Sequence, residues 1–156
     1  NYTCLMPTNT FGANDNYDEL NSHFLPALIR KIDKLKNKKE NSIFLWGDGK
    51  ARREVIHVDD IANACVYFMN KKQKPNLINI GTGKDYTIDY YAKLIAKIIL
   101  PNKKIKIRYD RTKPKGVERK VMDVSLARKN GWNYKISLKK AILKTYQSFQ
   151  FEKNQK

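Results

Sequence analysis

Short apolar runs that stop at Gly, Asn or Asp turns alternate with amphipathic stretches along this chain, and that alternation restricts the fold more than any other feature. Strands repeat every two residues and helices every 3.6, so regular switching between the two periods points to an α/β protein. Cys4-Leu5-Met6 is expected to end a buried strand that runs into the polar loop Pro7-Thr8-Asn9-Thr10-Phe11-Gly12. Doubly wound folds place ligand contacts in loops of that kind. Further strands are expected at 43–46, 54–58, 76–80 and 105–109. Ser22 is expected to cap a helix to about residue 39, with Leu25, Leu28, Ile32 and Leu35 on one face. Asp59 is expected to cap a second helix that turns Ile61, Ala62, Cys65, Val66 and Met69 inward. Thr87 and Ser137 read as caps of two more, ending near residues 100 and 151. At 156 residues the chain suffices for one ordinary domain and falls short of two.

Charge is distributed unevenly. The formal net charge is +17, yet residues 1–60 carry nine basic and nine acidic side chains, so the whole excess lies in residues 61–156. A basic half invites a nucleic-acid reading. Against it, Lys outnumbers Arg by 25 to seven, the cations are dispersed at helix-surface spacing, and no RNP-like, KH-like or zinc-finger pattern interrupts them. A solvated surface is the expectation, with no nucleic-acid partner. Two cysteines, Cys4 and Cys65, stand far apart and give neither a zinc pattern nor a disulfide framework. They read as reduced, partly buried thiols of a cytoplasmic protein. No run approaches the roughly 20 apolar residues of a membrane helix, and no secretory signal opens the chain, so no membrane association is expected. The chain opens on Asn1, so a processed product or a piece of a longer protein is expected.

Chemistry rests on single groups. No GxGxxG loop is present, and the chain carries no complete redox site. His23, beside the polar loop, is either a packed residue or a proton donor near neutral pH. Trp46 ends a strand at the Gly47-Asp48-Gly49 turn, where it is either core or a wall for a base or sugar. Arg52 and Arg53 follow that turn as a candidate phosphate clamp, and Arg119 with Lys120 forms a second anion candidate. His57 reads as structural, facing inward with Val55.

Several stretches together resemble GDP-L-fucose synthases, a family of extended short-chain dehydrogenases. They are Met6-Pro7-Thr8-Asn9-Thr10-Phe11-Gly12-Ala13-Asn14-Asp15-Asn16, then Asn21 to Lys31, Trp46-Gly47-x-Gly49, Arg53-Glu54-x-x-His57-Val58-Asp59-Asp60, Asn79-Ile80-Gly81-Thr82-Gly83 and Gly131-Trp132. The first two are the most specific, and the later ones are shared with other sugar-nucleotide epimerases and dehydratases, which stand as the alternative. The similarity runs from about residue 2 to residue 149. It implies epimerisation of GDP-4-keto-6-deoxymannose on both sides of its ketone, followed by reduction with NADPH to GDP-L-fucose. It further implies that this chain is the carboxy-terminal half alone: the C-terminal part of a Rossmann-type NAD(P)-binding fold plus the smaller substrate-binding α/β domain. On that view residues 1–22 end the cofactor domain, and residues 23–156 are mainly substrate domain with a part returning to the cofactor domain. NADP(H) would be bound mainly by an absent N-terminal half that also carries the catalytic Ser, Tyr, Lys and Cys. The chain alone would then be inactive.

The residue roles follow from the same resemblance. Pro7, Thr8, Asn9 and Thr10 would line the nicotinamide end of the cofactor. His23 would touch the cofactor and donate the epimerisation proton. Lys31, Trp46 and Arg53 would bind the GDP-sugar. The full enzyme would be a homodimer. Lys115 stands where the family has an Asp, and an ammonium cannot accept the hydrogen bonds that a carboxylate can.

Overall fold

The computed structural model describes residues 2–18, 21–73 and 75–155. Three small sheets organise it. β1 (Cys4–Pro7) runs parallel to β5 (Leu77–Ile80). β4 (Arg52–His57) lies between β2 (Asn9–Phe11), which is parallel to it, and β6 (Asp85–Thr87), which is antiparallel; the short β8 (Arg119–Lys120) also pairs with β4. β3 (Ser42–Trp46) runs parallel to β7 (Lys106–Asp110). Among the described residues, five helices cover these sheets: α1 (Phe24–Asp33), α2 (Val58–Asn70), α3 (Ile88–Ile99), α4 (Ser125–Lys129) and α5 (Leu138–Asn154).

Two cores result. The larger gathers Leu25, Leu28, Ile29 and Ile32 of α1, Tyr91 and Ile95 of α3, Ile142 of α5, and Ile43, Leu45 and Val55 from the strands. The smaller joins Phe68 and Ala64 of α2 to Ile78, Ile80, Ala127 and Trp132. Thr87 and Ser137 cap α3 and α5 as expected, accepting from the Tyr90 and Lys140 amides.

Asn9–Phe11, expected as part of a polar loop, forms β2 because its backbone pairs with β4, and further local expectations are corrected. α1 starts from His23, whose side chain makes no capping bond, and Ser22 does not cap it. α1 also ends at Asp33, because the following residues pass into turns. α2 is capped by His57, whose Nδ1 accepts from the Asp59 amide at 3.2 Å, in place of Asp59 itself. Finally, β1 is exposed along most of its length, and both cysteines are exposed. Among the described residues β1 pairs with β5 alone and shows Met6 to solvent, while α2 buries Asp60, Ala64 and Phe68 and leaves Cys65, Val66 and Met69 outside.

Candidate functional site

β4 positions the site from its centre. Its alternate residues Arg53, Val55 and His57 share one face, and Arg52, Glu54 and Ile56 share the other. On the first face, Val55 helps line a crevice of about 60 Å³ with Asn9, Thr10, His23 and Phe24. Arg53 lies two residues away on the same strand, a rise of about 7 Å. Phe24 stacks edge-on against Tyr91 at 5.5 Å, and the Tyr91 hydroxyl donates to the Arg53 carbonyl at 2.8 Å. His23 and Arg53 are thus joined through packed side chains.

The expected cofactor segment divides. Asn9 and Thr10 line the crevice beside the exposed His23, whereas Pro7 is exposed at the end of β1. Thr8 bridges the two sheets, its amide donating to the Ile80 carbonyl at 3.0 Å. The Asn9 amide group donates to the Glu54 carbonyl at 2.8 Å, which fixes its orientation.

Trp46, Arg53 and Lys115 come together through the loop after β7. Gly47 and Gly49 both take φ of +72°, which glycine reaches without strain. A Cβ on Gly47 would lie 3.1 Å from the Lys115 Cα, a tight contact that would push the loop back. The Lys115 ammonium pairs with Asp48 at 3.1 Å. The Lys50 amide and that ammonium hold the Asp48 carboxyl below its ordinary range. Arg53 Nη1 donates to the carbonyls of Arg52 at 2.8 Å and Val117 at 2.6 Å. Trp46 is 64% exposed, a wall facing solvent and not a core residue. Lys31 stands exposed on α1, eight residues beyond His23 and about 12 Å along the helix axis.

The Arg52 and Arg119 anion candidates are already engaged. Both guanidiniums bond the buried Asp85 carboxylate, Arg52 Nε at 3.1 Å and Arg119 Nε at 2.6 Å. Hydrogen bonds from Arg119 and then Arg52 hold that carboxyl far below the usual carboxylate range. Sequence reasoning missed Asp85 and also Glu54, which is fully buried. The Glu54 carboxylate accepts from the amides of Thr82 (2.6 Å), Gly83 (2.7 Å) and Met122 (2.7 Å). The usable signal was parity: Glu54 points to the same side as Arg52 in a strand whose far half is apolar. Among the described residues, no group of three or more His, Cys, Asp or Glu could hold a metal ion, and no helix is long and apolar enough to cross a membrane.

Comparison with known proteins fits this architecture. Residues 1–81 match the sequence profile of the NAD dependent epimerase/dehydratase family, and the chain belongs to that family. It is 42% identical to the GDP-L-colitose synthase of Yersinia pseudotuberculosis over 98% of this chain and 49% of that protein. It is 38% identical to the GDP-L-fucose synthase of Escherichia coli K12 over 95% of this chain and 48% of that protein. The solved structure of a GDP-6-OMe-4-keto-L-xylo-heptose reductase from C. jejuni superposes with a TM-score of 0.82 at 29% identity, covering 97% of this chain and 54% of that one. The chain spans about half the length of the curated relatives it matches.

The family match corrects three linked expectations. The chain was expected to be a carboxy-terminal half with a remnant of the Rossmann-type fold, its NADP(H) held mainly by an absent N-terminal half. The NAD-dependent family's region instead occupies residues 1–81, the amino-terminal side of this chain, followed by further α/β structure. The Gly-rich loop was the wrong marker. The family's pattern is also carried by strands and helices that contain no such loop, here β1 through α2 and β5.

Proposed function

We propose that this chain takes part in the epimerisation and NADPH-dependent reduction of a GDP-linked 4-keto-6-deoxyhexose, as in the conversion of GDP-4-keto-6-deoxymannose to GDP-L-fucose. The observation that carries the reading is the shared face of β4. It sets Val55, a wall of the His23 crevice, one strand repeat from Arg53, which meets the loop beside Trp46 and Lys115. A proton donor and a cationic, aromatic ledge are then close enough to serve the two ends of one sugar nucleotide. The GDP-sugar enzymes among its relatives support the choice of base.

Each residue has a role. Trp46 offers its exposed face to the base, and Arg53 and Lys115 meet the diphosphate. Lys31 adds a cation on the rim of α1. Epimerisation beside a ketone needs a base to remove a proton and an acid to return one on the other face. His23 is the acid: its exposed ring sits at the start of α1 beside Asn9 and Thr10. The crevice around those three residues would take the nicotinamide edge of NADP(H). When bound, the cofactor supplies hydride to the ketone carbon. Pro7 and Thr8 lead the chain into that crevice from β1.

Deuterium exchange tests the acid. The protein in D2O with GDP-4-keto-6-deoxymannose is expected to wash deuterium into the carbons flanking the ketone, read by NMR. His23→Gln is expected to slow that exchange by about 100-fold or more. Equal exchange in the variant rejects the role of His23, and no exchange in the wild type rejects the reading.

A further inference from the structure

Lys113 is absent from the roles above, yet its position over the ledge is specific. Its Nζ lies 5.8 Å from the centroid of the Trp46 ring. The backbone on either side is tied down. The Lys113 amide donates to the Asp110 carbonyl at 3.3 Å, and Asp110 Oδ1 accepts from the Thr112 amide and hydroxyl. On the other side Lys115 is paired with Asp48, and the Val117 carbonyl is held by Arg53. The side chain alone is left to move. Asp110 is the carboxylate whose field Lys113 shares, and its oxygen is already committed to Thr112.

We propose that Lys113 is a ligand-binding residue that leaves the face of Trp46 when a nucleobase stacks there, and carries its ammonium to the attached diphosphate. The proposal rests on the assignment of Trp46 as the base-binding wall. An exposed cation–π contact is weaker than the stacking of a base on an indole, so the base displaces the ammonium. Phosphate oxygens are the stronger partner for the freed charge. Ligand entry therefore exchanges a weak internal contact for two better ones. The site selects a phosphorylated nucleoside over the nucleoside itself through a cation the empty site holds in place.

The protein contains its own control. One row back along the same exposed face of β3, Arg108 lies over Phe44 at 5.9 Å. Removing Arg108 takes away the same charge from the same face without touching Trp46.

Trp46 provides the readout, because the second tryptophan, Trp132, is buried at 3% exposure and Trp46 is not. GDP and guanosine are titrated against wild type, Lys113→Ala and Arg108→Ala, following tryptophan emission with calorimetry in parallel. Lys113→Ala is expected to weaken GDP about threefold to tenfold and to leave guanosine bound at least as well as in wild type. Arg108→Ala is expected to leave GDP binding within about twofold. Equal GDP affinity in Lys113→Ala and wild type overturns the proposal. So does an equal loss in Arg108→Ala, or a matching loss for guanosine. If GDP leaves the emission of the wild type unchanged and releases no heat, the base-binding role of Trp46 fails, and the proposal fails with it.

Discussion

Asp85 is 8% exposed between two guanidiniums that are themselves partly in solvent. The pairing uses up Arg52 and Arg119, and that decides which cations remain for a ligand. Arg53 points the other way on β4 and meets the loop at Val117, so adjacent arginines have opposite duties. Parity along a strand explains the difference, but the carboxylate that claims Arg52 lies 33 residues away, beyond the reach of local pattern. Asp85→Asn is expected to lower stability by on the order of 1–2 kcal/mol at neutral pH. The acid limb follows from the depressed pKa. The folded carboxyl titrates below its unfolded value of about 3.9, so its contribution is complete above that pH and is lost as pH falls toward the folded value. Urea unfolding at about pH 7 and about pH 3 checks this. The gap between wild type and variant should narrow at the lower pH. An unchanged gap would show that the pairing adds nothing to stability.

α2 illustrates what periodicity leaves open. Ile61, Ala62, Cys65, Val66 and Met69 form one apolar stripe, and Asp60, Ala64 and Phe68 form a second, mixed one at four-residue spacing. The second is the buried one. Phe68 enters the core with Ile78 and Trp132, and Asp60 accepts from the amides of Lys135 at 2.9 Å and Ile136 at 3.1 Å. A buried aspartate holding two amides outweighs a hydrophobicity count, and neither amide is near it in sequence. Of the first stripe only Ile61 packs against that core, and the rest faces out, with Val66 54% and Met69 69% exposed. Apolar surface of this kind promotes association. The double variant Val66→Glu, Met69→Lys is expected to remain monodisperse at higher concentration than wild type while keeping its unfolding midpoint, as measured by light scattering and thermal melts. Equal association in the two proteins would show that this face has no part in it. α1 is the opposite case. Its stripe of Leu25, Leu28 and Ile32 reads correctly from spacing, while its start lacks the side-chain cap expected of Ser22 and its end falls at turns that spacing does not encode.

Across the molecule, local sequence disclosed the elements better than their partners. The longer strands and helices and the Trp46-Gly47 corner are legible because each rests on neighbours a few residues apart, whereas β2, read as loop, and the short β6, β8 and α4 were not expected. The meeting of Trp46, Arg53 and Lys115 depends on the loop after β7 crossing onto Gly47, a contact between distant segments. The resemblance also placed the family's cofactor region wrongly, because it tied that region to one loop, whereas the family's profile matches residues 1–81. The central claim is that this assembled ledge and the His23 crevice receive a guanine nucleotide sugar. Calorimetry with GDP-4-keto-6-deoxymannose tests it most directly, on wild type and on Trp46→Ala, whose exposed side chain can be truncated without opening the core. The account predicts saturable heat in the wild type and affinity about tenfold weaker or worse in the variant. Absence of heat in the wild type, or equal affinity in both, would contradict it.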